Sequence, residues 1–157
     1  MPILHGASAR LSSIKPAVWQ HSYCPVCGAL PTLAELRGLE RTRSLRCGRC
    51  GTDWAIDRLR CAYCRSTDQR RLGSLVPEEE GEMRKVDTCR DCGGYIKVLT
   101  TLRAWPPYRV PLEDLASVDL DLVALEHGFV RPDSGQFRLQ VQLIEAAEKR
   151  RFFGLRG

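Results

Sequence analysis

Short runs with strand-like patterning, broken by turn residues, fill the first hundred positions, and a longer helical recurrence follows them. Trp54 and Ile56 share one face of residues 52–58 at period two, which predicts a short strand. Strands are also expected at 31–36 and 41–46, joined by a turn near Gly38. The same plan then repeats, with a strand around 71–76, an acidic turn over 77–81, a strand near 83–86 and another over 95–101. Residues 1–21 carry no strong periodicity and read as a leader. The segment Ala104-Trp-Pro-Pro-Tyr108 is expected to be a rigid extended connector, because each proline restricts the residue before it. Beyond it Leu112, Leu115, Val118, Leu122 and Leu125 recur near helical spacing, and Gly128 supplies a stop, predicting a helix within 112–127. Over 136–151 two patterns compete. Phe137, Leu139, Val141 and Leu143 alternate like a strand, 143–150 suits a helix, and the helix is favoured.

The predicted turns carry the chemistry. All eight cysteines fall into four C-x-x-C pairs: Cys24/Cys27, Cys47/Cys50, Cys61/Cys64 and Cys89/Cys92. The pairs are separated by 19 residues in the first half and 24 in the second, near the spacing of four-cysteine metal sites. Two sulfurs three residues apart in a tight knuckle point the same way, and two facing knuckles complete a tetrahedron of soft ligands. Gly28, Gly51 and Gly93 follow three of the pairs and suit such a turn, whereas Arg65 follows the fourth. The duplication favours pairing of adjacent knuckles and leaves a cross-braced arrangement open.

Two other uses of the cysteines are weaker. A disulfide within one C-x-x-C closes a loop worth only about 2 kcal/mol, against roughly 10 to 16 kcal/mol for a structural metal on four thiolates. Thioredoxin-like thiol exchange needs one such pair in a βαβ setting, which the pattern lacks. The fold class expected is therefore small, metal-bound and β-rich: two tandem rubredoxin-like or zinc-ribbon modules followed by C-terminal helices. The expected divisions are a leader over 1–21, modules over 22–60 and 61–103, and a helical region over 104–157.

Composition adjusts this picture in two places. The chain has 157 residues and no apolar run near the roughly 20 needed for a membrane-spanning helix. Its first residues do not read as a secretory signal, so a cytoplasmic protein is expected. The formal charge is +5, distributed as +7 over 1–75, −5 over 76–130 and +3 over 131–157. Two tetrathiolate sites would lower the total to about +1 or +3, which weakens a nucleic-acid reading. Arg41, Arg43, Arg46, Arg49, Arg58 and Arg60 are expected to form a solvated face screening an anionic site.

The ordered motifs then suggest a family. They run Tyr23-Cys-Pro-Val-Cys-Gly-Ala-Leu-Pro31, Leu45-Arg-Cys-Gly-Arg-Cys-Gly-Thr-Asp-Trp54, Arg58-Leu-Arg-Cys-Ala-Tyr-Cys64 and Thr88-Cys-Arg-Asp-Cys-Gly-Gly-Tyr-Ile-Lys97. Asp114-Leu-Ala-Ser-Val-Asp-Leu-Asp121 and Glu126-His-Gly-Phe-Val-Arg131 come after them. Over roughly 22–139 the chain resembles the C-terminal part of the formate dehydrogenase accessory protein family, FdhE. The resemblance implies a cytoplasmic chaperone whose client is the catalytic subunit of a formate dehydrogenase, with no membrane insertion. It implies one metal on Cys24, Cys27, Cys47 and Cys50 and another on Cys61, Cys64, Cys89 and Cys92, iron being favoured and zinc the competitor. Family members of usual length carry a long helical segment ahead of the first knuckle, where this sequence has about twenty residues; if client binding needs that segment, a ribbon-only relative with reduced or different function is expected. The tail after Leu139 has no counterpart, and a helix packing Phe152 and Phe153 against the ribbons is expected there.

Trp54, Arg58, Tyr95 and Lys97 belong to the same pattern. The first expectation has Trp54 and Tyr95 shielding the metal sites and Arg58 compensating thiolate charge; the sharper one makes the four residues a partner-binding surface. His5, His21 and His127 are isolated and are not expected to be ligands. No nucleophile–base pair or phosphate-cradling loop is visible, so no catalytic residue is expected. Two other functional classes stay in play: rubredoxin-like electron transfer and zinc-ribbon nucleic-acid binding.

Overall fold

A computed structural model describes residues 2–11, 19–77 and 81–132. In chain order these form α1 (Pro2–Leu11), β1 (Leu33–Arg37), β2 (Thr42–Arg46), β3 (Asp53–Ala55), β4 (Leu72–Leu75), β5 (Arg84–Cys89), β6 (Tyr95–Thr101), α2 (Arg109–Ala116) and α3 (Val118–Glu126). Most of the expected strands are present within a residue or two. β5 runs three residues further than expected, to Cys89, because its backbone stays paired as far as the knuckle. Of the leader, residues 2–11 are helical.

All six strands join in one sheet of order β3-β2-β1-β6-β5-β4. Each half contributes an antiparallel three-stranded ribbon, and the seam is a parallel pairing of β1 with β6 in the register Leu33↔Lys97 to Arg37↔Thr101. The first strand of one ribbon therefore meets the last strand of the other, a head-to-tail union of the repeat. β3 and β4 are left as edges of only three and four residues, short enough to limit unwanted strand pairing.

Alternation along the central strands builds two cores. Ala34, Leu36, Leu45, Trp54, Ile96 and Val98 point to the face that carries the knuckles and cluster there with Cys24, Cys47 and Cys50. Leu33, Val86, Tyr95 and Leu99 point to the other face and pack against Val110, Leu120 and Ala124 of α2 and α3. Strands in the middle of the sheet are thus apolar on both faces, as burial on both sides requires.

Three expectations change. The single helix is two, because Ser117 leaves helical geometry (φ −116°) while its hydroxyl donates to the carbonyl of Glu113 at 2.7 Å. Its apolar recurrence also faces the wrong way. Leu112, Leu115, Val118, Leu122 and Leu125 are all more than half exposed, whereas the alternate positions Val110, Leu120 and Ala124 are buried. Arg43 and Arg46, expected on a solvated face, are buried. Arg43 reaches over β1 and β6 to Asp87 at 3.1 Å and donates to the carbonyls of Arg58 and Arg60. Arg46 lies 3.3 Å from Glu35, itself fully buried. Carboxylate partners on other strands make both burials tolerable. Residues 78–80 of the acidic turn and the tail from 133 onward lie outside the described residues.

Candidate metal centres

One backbone turn is used four times. In each knuckle the amide of the first cysteine donates to the carbonyl five residues on: Cys24 to Ala29 (2.8 Å), Cys47 to Thr52 (2.9 Å), Cys61 to Ser66 (2.8 Å) and Cys89 to Gly94 (2.9 Å). Closing it needs a left-handed residue after the second cysteine, and Gly28, Gly51 and Gly93 supply it with φ of 71°, 72° and 66°. Arg65 adopts the same conformation at φ 66°, so the fourth knuckle keeps the geometry without the glycine.

The knuckles meet in adjacent pairs, which closes the cross-braced alternative. Cys24, Cys27, Cys47 and Cys50 converge in one group and Cys61, Cys64, Cys89 and Cys92 in the other, all sulfurs of a group lying within 4.8 Å of one another. Cys24–Cys50 and Cys27–Cys47 are 3.5 and 3.4 Å apart, and Cys61–Cys92 and Cys64–Cys89 are both 3.7 Å apart. A tetrahedron with metal–sulfur bonds of about 2.3 Å has edges of about 3.8 Å. The second group matches that edge and the first is slightly contracted, so both donor sets fit a four-coordinate thiophilic ion. Amides of the turns also point at sulfur: Val26 at Cys24 (3.4 Å), Cys50 at Cys47 (3.5 Å) and Tyr63 at Cys61 (3.4 Å).

Packing the thiols together perturbs them in opposite directions. Neighbours Cys24 and Cys50, with burial, push the Cys47 thiol up. Cys24 first, and then Cys47, hold Cys50 down. Cys24 is favoured as a thiolate by Cys47, but Cys50 and burial outweigh that, and it is pushed up to about 11. Burial is the main reason Cys61 is raised. Four thiolates this close repel one another, and a bound cation is the compensation the site is shaped to receive.

The surroundings distinguish the groups. Cys24, Cys47 and Cys50 are buried, and Trp54 packs in the same cluster with its indole N–H donating to the carbonyl of His21 at 3.1 Å. Thr52 Oγ1 lies 3.1 Å from Cys50 Sγ and 2.5 Å from Ser8 Oγ, so α1 is fastened over this group. In the second group Cys61 and Cys89 are buried while Cys64 and Cys92 are exposed. Ser8 and Thr52 had no sequence signal as companions of the site.

The other singled-out residues separate. Trp54 sits beside the first centre. Tyr95 lies instead in the helix-side core, its hydroxyl donating to Asp121 at 2.7 Å. Lys97 is fully buried, with Nζ 2.7 Å from Asp114 Oδ1 and 2.8 Å from Asp121 Oδ2. Arg131 binds the same two aspartates at 2.9 and 2.6 Å. Two cations and two carboxylates, all from the recognised motifs, thus lock the helices to β6. Of the four candidates for partner contact, Arg58 alone is exposed. His21 stacks with Tyr23, ring centroids 5.1 Å apart, and the His127 ring lies 2.8 Å from the carbonyl of Val123; among the described residues the two sulfur groups consist of cysteines alone.

Comparison with known proteins converges on one family. Residues 59–137 match the domain described as "FdhE, C-terminal domain". The chain is 37% identical over 117 residues to a protein FdhE homolog of Aquifex aeolicus, covering 72% of this chain and 40% of that protein. It is 32% identical over 120 residues to protein FdhE of Escherichia coli O127:H6, covering 75% and 38% respectively. The crystal structure of the FdhE protein from Pseudomonas aeruginosa superposes with a TM-score of 0.59 at 27% identity, over 71% of this chain and 39% of that one. The chain thus spans about two fifths of the length of these relatives.

Proposed function

As the chain belongs to the FdhE family, we propose that it is a non-catalytic accessory protein for formate dehydrogenase, acting in the cytoplasm as a chaperone that docks on the catalytic subunit during assembly. The observation that carries this reading is the single six-stranded sheet into which the motifs are built. Both sulfur groups, the β1–β6 seam and the Lys97–Asp114–Asp121–Arg131 cluster interlock across one sheet. Cys24, Cys27, Cys47 and Cys50 would hold one ion and Cys61, Cys64, Cys89 and Cys92 another, iron being proposed and zinc its competitor. Bound there, an ion ties two hairpin tips together and fixes the knuckle-bearing face. Arg58, at the rim of a cavity of about 650 Å³ between the two ribbons, is the proposed point of client contact.

The test is co-purification with formate dehydrogenase catalytic subunits from a host that makes them. Association is expected, and it is expected to vanish when both cysteine pairs of one ribbon become serine. Absence of association in that host rejects the reading. Metal analysis with an absorption spectrum decides the ion, since ferric thiolates give intense visible bands and zinc gives none.

One observation favours a second reading. Cys64 and Cys92 reach the surface, as electron exchange through rubredoxin-like iron requires. Reversible reduction with fast exchange to a partner is then expected, and a chain carrying only zinc removes this reading. Nucleic-acid binding loses ground because Arg43 and Arg46 are consumed by Asp87 and Glu35.

A further inference from the structure

The cavity between the ribbons is charged on one side of the ledger only. Arg43, Arg58, Arg60 and Lys85 line it, against a single carboxylate, Asp87. Cys61 and Cys89 form its knuckle end, where a bound ion offsets about half of the thiolate charge. Asp87 is already engaged: Arg43 lies 3.1 Å from one oxygen, and Ser74 and Lys85 hold the other at 2.8 and 3.0 Å. Arg60 is turned to Asp57 and Gln20. Two cations remain for a visitor. Arg58 is exposed at the rim. Lys85 leans out to the edge strand, its Nζ 3.3 Å from Ser74 Oγ, and of its three hydrogens two serve Asp87 and Ser74.

β4 supplies a second, independent observation. Its register sets Ser74 opposite Asp87, and the amide of Arg90 donates to the carbonyl of Arg71 at 2.8 Å. Bonded and non-bonded pairs alternate along antiparallel strands, so residues 71, 73 and 75 bond to β5 while Leu72 and Ser74 turn their backbone groups to the open edge of the sheet. The Leu72 amide is taken by the carbonyl of Asp68 at 3.2 Å. The N–H and C=O of Ser74 face outward, beside the Lys85 ammonium, and Ser74 itself lines the cavity.

We propose that the β4 edge and this cavity together bind an extended acidic segment of a partner polypeptide, added to the sheet as a further strand, with its carboxylates met by Lys85 and Arg58. Ser74 gives the segment one donor and one acceptor from its backbone, the pairing that strand addition uses. A side chain placed opposite Ser74 would lie about 5 Å from it, within reach of the Lys85 ammonium that already touches the Ser74 hydroxyl. A free phosphate or carboxylate could meet the two cations, but only a polypeptide can use the outward N–H and C=O as well. β4 is too short to template pairing indiscriminately, so the cations select the strand that is admitted. The proposal rests on the reading of Arg58 as a contact point, and its test needs no client.

The probe is a fluorescent synthetic peptide of alternating glutamate and valine, titrated by polarisation into the full metal-loaded chain. Saturable binding is expected. Lys85→Ala and Arg58→Ala should each weaken it at least ~10-fold, whereas Arg103→Ala, which removes the same charge from an exposed position outside the cavity, should leave it unchanged. N-methylation of one of the peptide's two alternate sets of amides should abolish binding and methylation of the other should not, a test of strand pairing that leaves the protein unaltered. Absence of saturable binding overturns the proposal. So does an equal loss with Arg103→Ala, which is the mark of diffuse charge, and so does indifference to both methylated peptides. Displacement of the peptide by inorganic phosphate at matched concentration overturns it too, because the site is then a simple anion site. Peptide binding by a chain that captures no formate dehydrogenase subunit upholds the proposal and rejects only the accessory reading.

Discussion

The two sulfur groups share a backbone and differ in their cover. Each is built from two identical turns at the ends of a ribbon, with nearly equal sulfur separations. Around the first, Trp54, Thr52 and α1 close the site, and three of its cysteines are part of a core. Around the second, Cys64 and Cys92 face solvent. Equal turns in unequal settings divide the labour: the first group is an element of the fold, and the second is the place where the fold meets its environment.

The largest expected effect comes from breaking the buried group. Cys47→Ser/Cys50→Ser should forfeit most of the roughly 10 to 16 kcal/mol that a structural ion contributes, a loss as large as a typical domain's whole stability. Loss of near-UV circular dichroism and of both metals is expected. Cys64→Ser/Cys92→Ser should lose one metal per chain and retain a cooperative thermal transition. Equal collapse of both variants would erase the distinction.

Next in size is Lys97→Met, on the opposite face from both groups. It leaves Asp114 and Asp121 to share Arg131, at a cost of about 3 to 5 kcal/mol in a urea titration. The order in which the two groups give up metal should not change. A changed order would mean that the helix face, rather than local cover, sets the difference between them.

A third test is kinetic. Added iodoacetamide and chelator should modify Cys64 and Cys92 at least ~10-fold faster than Cys24, Cys47 and Cys50, because reactivity follows exposure of the sulfur. Timed peptide mapping reads this directly, and simultaneous modification of all eight would contradict it.

How much of this could be read in the sequence follows from the range of each interaction. The knuckles, the adjacent ribbon plan and β6 were legible because their determinants are a few residues apart. The β1–β6 seam was not, since it joins residues more than sixty positions apart and no local pattern encodes which edges meet. Arg43 and Arg46 read as solvated because Asp87 and Glu35, which neutralise them, lie on other strands. Leu112 to Leu125 located the helices but misplaced their inner face: small Ala124 and polar Ser117 lie buried there, and the larger leucines point outward. α1 was missed because its tie to the site is the pair Ser8–Thr52, 44 positions apart.

The smallest effect concerns the one knuckle without its glycine. Arg65 holds a left-handed conformation that costs an L-residue about 1 to 2 kcal/mol. Arg65→Gly removes that strain, while the freer unfolded chain takes back roughly 0.5 to 1 kcal/mol. A net gain of about 0.5 kcal/mol is expected, seen as a higher urea midpoint at unchanged slope. Gly28→Ala gives the reverse in the first ribbon. A Cβ there meets nothing within 4 Å, so the loss, about 1 kcal/mol, is purely conformational. Gly51→Ala must lose more, because its Cβ would fall 2.2 Å from Pro107 in the segment leading to α2. If Arg65→Gly instead destabilises, the arginine side chain is supporting the exposed group by charge, and the second centre is better defended than its solvent exposure indicates.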